Sequence, residues 1–170
     1  MLGYKDVLRF DDRMLALYES SFTEEEKVPV ENLYRAMKDG AVLTKYDDGG
    51  EFIGMTYVFI DDDRMFFVYF ATVPEVRGKG YGSQIIDCVR RRYPKTRIFF
   101  VLEPEDEAAE DNGIRIRRHG FYERNGCRDT GVQLISDNEL FDSMFMQGEL
   151  TESEMIDTLE LYENVHNGRV

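Results

Sequence analysis

Residues 66–89 read FFVYFATVPEVRGKGYGSQIIDCV, and this stretch decides the fold that the sequence predicts. An apolar, strand-like run over 66–73 stops at Pro74. A loop with glycines at 78, 80 and 82 then leads directly into a helical pattern. Such a loop at a helix N-terminus presents free backbone N–H groups and the positive end of a helix dipole. The stretch therefore predicts an anion site, most often one for a phosphate group.

The composition is that of a folded and strongly acidic protein. Its 170 residues, 42% hydrophobic and 13% aromatic, predict a single domain over residues 1–170. The chain has no long apolar run, no secretory-type N-terminus and two cysteines, so we expect a cytoplasmic protein with reduced thiols. The net charge of −13 disfavours nucleic acid and membrane as partners, and it suits either a cationic ligand or a merely solvated acidic surface.

The apolar periodicity predicts an α+β protein with the element order α-α-β-β-β-α-β-α-β-β-α. The predicted helices span 13–22, 30–37, 81–93, 112–125 and 151–162, and the predicted strands span 41–46, 52–60, 65–73, 97–102, 131–136 and 140–146. A helix carries the chain from the third strand to the fourth, so these two strands should be parallel. The remaining strands are expected to pair mainly antiparallel.

Three phosphate-binding patterns compete for the glycine loop. The dinucleotide fingerprint needs two residues between its second and third glycines, but Gly82 follows Gly80 after only one. A P-loop needs a lysine between its last glycine and the hydroxyl residue, and Ser83 follows Gly82 directly. The third pattern, Arg-x-x-Gly-x-Gly, is met by Arg77, Gly80 and Gly82.

With the preceding TVPEV (72–76), this third pattern resembles the acetyl-CoA site of the GNAT superfamily of N-acetyltransferases. A second segment, FYERNGC (121–127), is similar to the Tyr-x-x-x-Gly-Phe segment of that family, with Cys127 where Phe is usual. The resemblance covers roughly residues 11 to 147. It implies a GNAT-like fold, in which a mixed, mainly antiparallel sheet with one parallel, splayed strand pair is flanked by helices.

The resemblance also implies acetyl-CoA as co-substrate. Backbone groups at the end of the third strand would pair with the pantetheine arm, and the loop amides would hold the pyrophosphate. The expected cofactor-binding residues are Phe70, Ala71, Thr72, Arg77, Gly78, Lys79, Gly80, Tyr81, Gly82 and Ser83. No metal is expected, because His119 and His166 show no ligand spacing with each other or with a cysteine.

The implied reaction is direct attack of a neutral primary amine on the thioester. Tyr122 matches the family's general acid, which protonates the departing coenzyme A thiolate. The base stays open: Glu103 directly follows the strand 97–102, Asp63 precedes the strand 65–73, and a chain of waters is a third possibility. A non-catalytic acyl-CoA-binding sensor or assembly module would need the same phosphate loop, so it remains an alternative.

The acceptor groove is expected between the first two helices, over residues 14–37, and the loop 136–139 between the last two strands. The acidic residues 24–26 favour a cationic small molecule or peptide amine, although a solvated loop has the same composition. The last strand and helix could form either the face of a homodimer or a lid on the sheet.

Overall fold

The computed structural model describes residues 1–136 and 138–169. Within this part of the chain, seven strands form one mixed sheet with the order β1-β2-β3-β4-β5-β7-β6, and five α-helices pack against it. The strands are β1 (Leu2–Val7), β2 (Ala41–Asp48), β3 (Glu51–Asp61), β4 (Arg64–Thr72), β5 (Arg97–Leu102), β6 (Arg128–Ser136) and β7 (Glu139–Gln147). The helices are α1 (Asp12–Ser21), α2 (Val30–Ala36), α3 (Tyr81–Arg92), α4 (Asn112–Arg124) and α5 (Glu152–His166).

The predicted fold class is confirmed, and from α1 onward the predicted element order is the observed one. The sequence analysis missed β1, which pairs antiparallel with β2 at the edge of the sheet. Its sequence, LGYKDV, has no buried residue and contains Gly3 and two charged side chains. An edge strand needs only one partner and little burial, so it carries a weak hydrophobic pattern.

Helices cover both faces of the sheet. One face packs against α1, α2 and α5 through an aromatic-rich core, and the opposite face packs against α3 and α4. Met155 and Val165 of α5 are buried in the first core. Of the two predicted roles, the last helix therefore has that of a lid on the sheet of its own chain. The homodimer stays a prediction. Among the described residues, no helix is long and apolar enough to cross a membrane.

Strands β4 and β5 are parallel, but they pair over only three residues. The pairs are Arg64 with Arg97, Met65 with Ile98 and Phe66 with Phe99. Beyond them β4 still pairs with β3 up to Thr72, and β5 still pairs with β7 up to Leu102. Each strand therefore keeps its outer neighbour and loses its inner one, which opens a gap in the sheet.

A β-bulge lies where this gap begins. In the β3–β4 register, Val58 pairs with Phe67 and Tyr57 pairs with Tyr69, so Val68 is an extra residue on β4. A bulge bends its strand, increases the local twist and turns the following side chains to the other face. It accounts both for the divergence of β4 from β5 and for the direction of Tyr69 toward the α1–α2 side.

We predict that Phe99→Ala destabilises the protein by about 3–5 kcal/mol, because it removes a fully buried ring from the base of the gap. The Phe99 ring is 0% exposed and stacks on Phe66 with 5.3 Å between centroids. Urea unfolding measures the loss. Ile135→Ala is the control, since Ile135 is 74% exposed and its truncation should stay within about 0.5 kcal/mol. A loss below about 1 kcal/mol at Phe99 would contradict this account of the core.

Candidate functional site

A large open cleft of about 2280 Å³ extends from the strand gap across one edge of the sheet. It is bordered by the end of β4, the glycine loop, the end of β5, one side of α4, the α1–α2 connection and α5. Pockets for a single small ligand hold about 300–1,000 Å³. This cleft is therefore large enough for two substrates side by side.

The glycine loop forms one end of the cleft. Gly78 and Gly80 have φ of +76° and +83°, values in the left-handed region that glycine adopts without steric cost. Gly80 is the N-cap of α3 and has no side chain to cap the helix. The N–H groups of Gly78 and of residues 80–83 have no acceptor among the described residues. The loop thus presents several free donors at the positive end of a helix dipole.

Gly82 allows close packing of α3 against its neighbours and is not in the left-handed conformation of Gly78 and Gly80. A Cβ at this position would lie 3.0 Å from Cζ of Phe121, which belongs to α4, and 3.5 Å from Cζ of Phe70, which belongs to β4. The absence of a side chain lets the first turn of α3 pack directly against both aromatic rings. This contact places the free amides beside the strand gap.

Backbone alternation decides which groups of β4 face the gap. The N–H of Val73 bonds to the carbonyl of Ile53 on β3, so Thr72 and Phe70 direct their backbone groups to the opposite side. The carbonyl of Ala71 lies against β3. Of the three strand residues predicted to meet the pantetheine arm, Phe70 and Thr72 are therefore the two that can pair with it through the backbone.

Arg77 and Lys79 lie on different sides of the loop. Arg77 borders the cleft and donates a hydrogen bond of 3.2 Å to the carbonyl of Thr72. Lys79 borders a separate, smaller pocket with Arg13 and Asp48. Nine of the ten predicted cofactor-binding residues border the main cleft, and Lys79 does not.

Tyr122 lies in the cleft at the end of α4. Its ring packs against Phe100 of β5, with 4.3 Å between centroids, and against Phe121 at 5.2 Å. The Tyr122 hydroxyl has no hydrogen-bond partner among the described residues. In that part of the chain, Ser21 Oγ is the only fully buried side-chain polar atom without a partner, so the Tyr122 hydroxyl is not fully buried. Because Tyr122 borders the cleft, this hydroxyl is open to it. Burial of the ring raises the pKa of Tyr122 well above its ordinary value, and Arg118 offsets part of the rise. The hydroxyl is a protonated donor at neutral pH.

The two candidate bases occupy different places. Glu103 borders the cleft, but its Oε2 lies 2.7 Å from a guanidinium nitrogen of Arg115. Asp63 lies at the opposite end of β4 and outside the cleft, where Arg97 binds both carboxylate oxygens at 2.8 and 3.0 Å. These hydrogen bonds lower the pKa of Asp63, which makes it a weaker base. The role of Glu103 as base stays a prediction. The position of Asp63 outside the cleft argues against Asp63 as the base.

The charges along the cleft are unevenly distributed. Arg117 and Arg118, on the exposed side of α4, border the cleft and form no ion pair within the described residues. The α1–α2 and α5 side carries the carboxylates of Glu25, Glu26 and Glu163 against the cations Lys27 and Arg169, and Lys27 is already paired with Glu19 and Glu24. One half of the cleft therefore attracts anions although the protein as a whole is acidic.

The matching family model is that of the acetyltransferase (GNAT) family, and it covers residues 11–126. This chain belongs to the GNAT family of acetyltransferases. No match was found among curated protein sequences.

Solved structures of acetyltransferases share the fold. A GNAT-family acetyltransferase from Bacteroides thetaiotaomicron aligns with a TM-score of 0.74 and 19% identity, over 95% of this chain and 96% of the other. A Bacillus subtilis acetyltransferase in complex with CoA aligns at 0.62 and 11% identity, over 88% and 100%. A GNAT-family acetyltransferase from Elizabethkingia anophelis with acetyl-CoA bound aligns at 0.57 and 11%, over 85% and 94%.

The predicted acceptor regions of this GNAT chain do border the cleft, but they do not enclose it alone. Residues 20–23, 25–29 and 32 line it, as do Ser136 and Glu139, whereas residue 137 of the predicted loop lies outside the described residues. Helix α5 adds Leu159, Tyr162 and His166, which the sequence analysis did not assign to the site. Their three- and four-residue spacing marked a helix face, and that pattern alone does not distinguish a core face from a cleft wall.

His166 is the buried titratable group of this wall, at 2% exposure. Its Nδ1 lies 2.7 Å from the carbonyl of Tyr162, and its Nε2 lies 2.7 Å from the hydroxyl of Tyr57. Burial lowers the pKa of His166 below its ordinary value of 6.5, which favours the neutral ring. Among the described residues, no group of three His, Cys, Asp or Glu side chains is placed to hold a metal ion.

We predict that His166 makes the stability of the protein fall as the pH drops from 6.5 toward 5. Its unfolded form binds a proton near 6.5 while the buried ring does not, so acid favours the unfolded state by at most about 1.4 kcal/mol per pH unit. His166→Gln should have a shallower dependence over this window, measured by urea unfolding at each pH. Between pH 9 and 7, where neither form titrates, the two curves should run parallel. Equal slopes below pH 6.5 would contradict the prediction.

Proposed function

We propose that this protein is an N-acetyltransferase that moves the acetyl group of acetyl-CoA to a primary amine. The observation that carries the proposal is the unpaired, protonated hydroxyl of Tyr122, which faces the same cleft as the free amides of the glycine loop. An anion cradle and a proton donor on opposite sides of one strand gap suit a thioester donor whose leaving group needs a proton.

The donor would bind along the gap. Its pyrophosphate accepts hydrogen bonds from the amides of Gly78 and of residues 80–83, and Arg77 and Arg118 add charge. Its pantetheine arm pairs with the backbone of Phe70 and Thr72, as an added strand would. Complexes of CoA and acetyl-CoA with the Bacillus subtilis and Elizabethkingia anophelis proteins support this choice of donor.

The reaction would be a direct transfer. The neutral amine nitrogen attacks the thioester carbonyl carbon, and a backbone N–H of β4 at the gap stabilises the oxyanion. The C–S bond breaks as the amide bond forms, Tyr122 donates its proton to the departing thiolate, and the second proton that the nitrogen loses on becoming an amide returns to the Tyr122 oxygen. The ammonium proton of the acceptor passes to a base. Only about one part in 10³ of an amine with a pKa near 10 is neutral at pH 7, so this proton must be removed efficiently.

Glu103 is the protein group proposed as base, directly or through water. It borders the same cleft as Phe100, whose ring supports Tyr122. Its ion pair with Arg115 must rearrange, or one oxygen must remain available, before it can accept a proton. A chain of waters that leads out of the open cleft is the alternative route.

The acceptor would be a cationic amine, either a small molecule or a peptide. Glu25, Glu139 and Glu163 border the half of the cleft that lies away from the glycine loop. Carboxylates at that end attract an ammonium group, whereas the arginines of α4 attract phosphates. The two substrates would then approach from opposite ends of the cleft.

A non-catalytic acyl-CoA-binding module is the second candidate. The ion pair between Glu103 and Arg115 favours it, because among the described residues Glu103 is the carboxylate just after β5 that borders the cleft, and it is already paired. Such a module needs the glycine loop but has no use for an unpaired phenol in the cleft. The test of Tyr122 therefore separates the two functions.

We predict that an amine in a panel of polyamines, aminoglycosides, amino acids and peptides accelerates release of free thiol from acetyl-CoA. Tyr122→Phe should lower kcat by at least about a hundredfold, because it removes the proton donor and keeps the ring on Phe100. Its acetyl-CoA Kd, measured by calorimetry, should stay within about twofold, and Tyr46→Phe, outside the cleft, should keep full activity.

The outcomes separate the hypotheses. If acetyl-CoA binds but no amine accelerates thiol release, the result would support the binding module and contradict the enzyme proposal. Full activity of Tyr122→Phe would overturn only the assignment of the acid.

We predict that Gly80→Ala weakens acetyl-CoA binding about tenfold. A Cβ in this left-handed conformation costs about 1–2 kcal/mol, and relief of the strain turns the free amides away from the donor. Gly131→Ala is the matched control: its φ is +78°, no atom lies within 4 Å of the new Cβ at either position, and Gly131 is outside the cleft. Both variants should lose similar stability, and equal acetyl-CoA Kd values would refute the cradle.

A further inference from the structure

Residues 22–28, the acceptor-side wall, lie between α1 and α2, and all of them except Glu24 border the cleft. They form one hydrogen-bonded turn, in which the N–H groups of Glu26 and Lys27 bond to the carbonyl of Thr23 at 3.1 and 3.0 Å. The Glu26 carboxylate accepts a hydrogen bond of 2.8 Å from the N–H of Thr23. This reciprocal arrangement, similar to a capping box, orders the segment internally. It does not by itself fix the segment relative to the sheet.

Tyr69 of β4 makes that connection. Its hydroxyl donates a hydrogen bond of 2.6 Å to the carbonyl of Glu26 and accepts one of 3.1 Å from the N–H of Val28. Its ring lies 4.8 Å from the ring of Phe22. One side chain, 5% exposed, thus holds both ends of the acceptor-side wall.

The bulge at Val68 directs Tyr69 to this position. Phe67 packs into the core on the α3–α4 face, whereas Val68 and Tyr69 both pack into the core on the α1–α2–α5 face. Strict alternation would have sent Tyr69 to the α3–α4 face. The same bulge therefore opens the strand gap and supplies the side chain that holds the wall across it.

Within the described residues, the other hydrogen bonds and ion pairs that hold the acceptor-side wall come from α1 or from the wall itself. The hydroxyl of Tyr18 donates to the carbonyl of Val28 at 2.7 Å. Lys27, whose own side chain is 9% exposed, pairs with Glu19 of α1 and with Glu24 of the wall itself, and neither partner belongs to the sheet. Tyr69 is therefore the direct hydrogen-bonded connection from the wall to the strand that borders the reaction centre.

We propose that Tyr69 is a positioning residue for the acceptor. Its two hydrogen bonds hold the acceptor-side wall, and with it the Phe22 ring and the Glu25 carboxylate, at a fixed distance from the gap where the acetyl group would lie. This inference rests on the proposed function, since it assigns the wall to the amine half of the cleft. It makes β4 the common support of the donor and of the acceptor site.

The test is the steady-state kinetics of Tyr69→Phe with acetyl-CoA and the best amine of the panel. The variant keeps the ring and loses both hydrogen bonds. The amine KM should rise at least about fivefold, the equivalent of one to two hydrogen bonds, while kcat and the acetyl-CoA KM stay within about twofold. Tyr18→Phe, which loses one bond to the same wall, should raise the amine KM less.

Tyr46→Phe is the control for the loss of a buried hydroxyl. Tyr46 is 0% exposed, lies outside the cleft and has one hydrogen bond, to Thr56 Oγ1 at 3.2 Å. Its amine KM should not change. An unchanged amine KM in Tyr69→Phe, or a fall in kcat without a change in KM, would overturn the proposal.

Hydrogen exchange of residues 23–28 tests the contact between Tyr69 and the acceptor-side wall, and this measurement does not depend on enzyme activity. Faster exchange in Tyr69→Phe than in wild type or Tyr46→Phe supports the contact, and unchanged exchange overturns it. If no amine is acetylated by the wild-type protein, the proposed function fails. The exchange result still decides whether Tyr69 holds the wall.

Discussion

Strands β4 and β5 share hydrogen bonds only as far as Phe66 and Phe99, and every part of the site takes its position from this parting. The extra residue at Val68 bends β4 away while both strands stay anchored to their outer neighbours. The unpaired inner edge of β4 then becomes an open binding edge. The glycine loop follows it directly along the chain, and Tyr122 approaches it from the side of β5.

A gap in a sheet leaves backbone groups without partners. The separated strands must therefore be held in place by side-chain contacts. Aromatic rings do this on the α3–α4 face: Phe67 lies 5.8 Å from Phe70 and 6.3 Å from Phe100, and Phe100 lies against Tyr122. On the other face, Tyr69 ties β4 to the acceptor-side wall. Side chains of β4, the strand that diverges from β5, thus hold both sides of the cleft.

Electrostatics add a direction to the cleft. The protein has a net charge of −13, yet arginines of α4 and the amides of the glycine loop make one end locally positive. At the other end, the carboxylates of Glu25, Glu26 and Glu163 outnumber the cations Lys27 and Arg169. Over a distance greater than the Debye length of about 8 Å, salt screens the overall charge more than these local groups. The local groups therefore determine the electrostatic potential at each end.

The sequence by itself determined the family and predicted the glycine-loop end of the cleft, because these depend on local pattern: a strand, a glycine loop with Arg77, and Tyr122 at a helix end. It also gave correct bounds, within a few residues, for the elements with strong apolar periodicity. The edge strand β1 lacked that periodicity. Only the tertiary structure revealed that Glu103 is paired with Arg115, that Lys79 faces another pocket, and that α5 and Tyr69 border the main cleft. These facts depend on contacts between residues far apart in the chain and on one bulge, which no local pattern specifies.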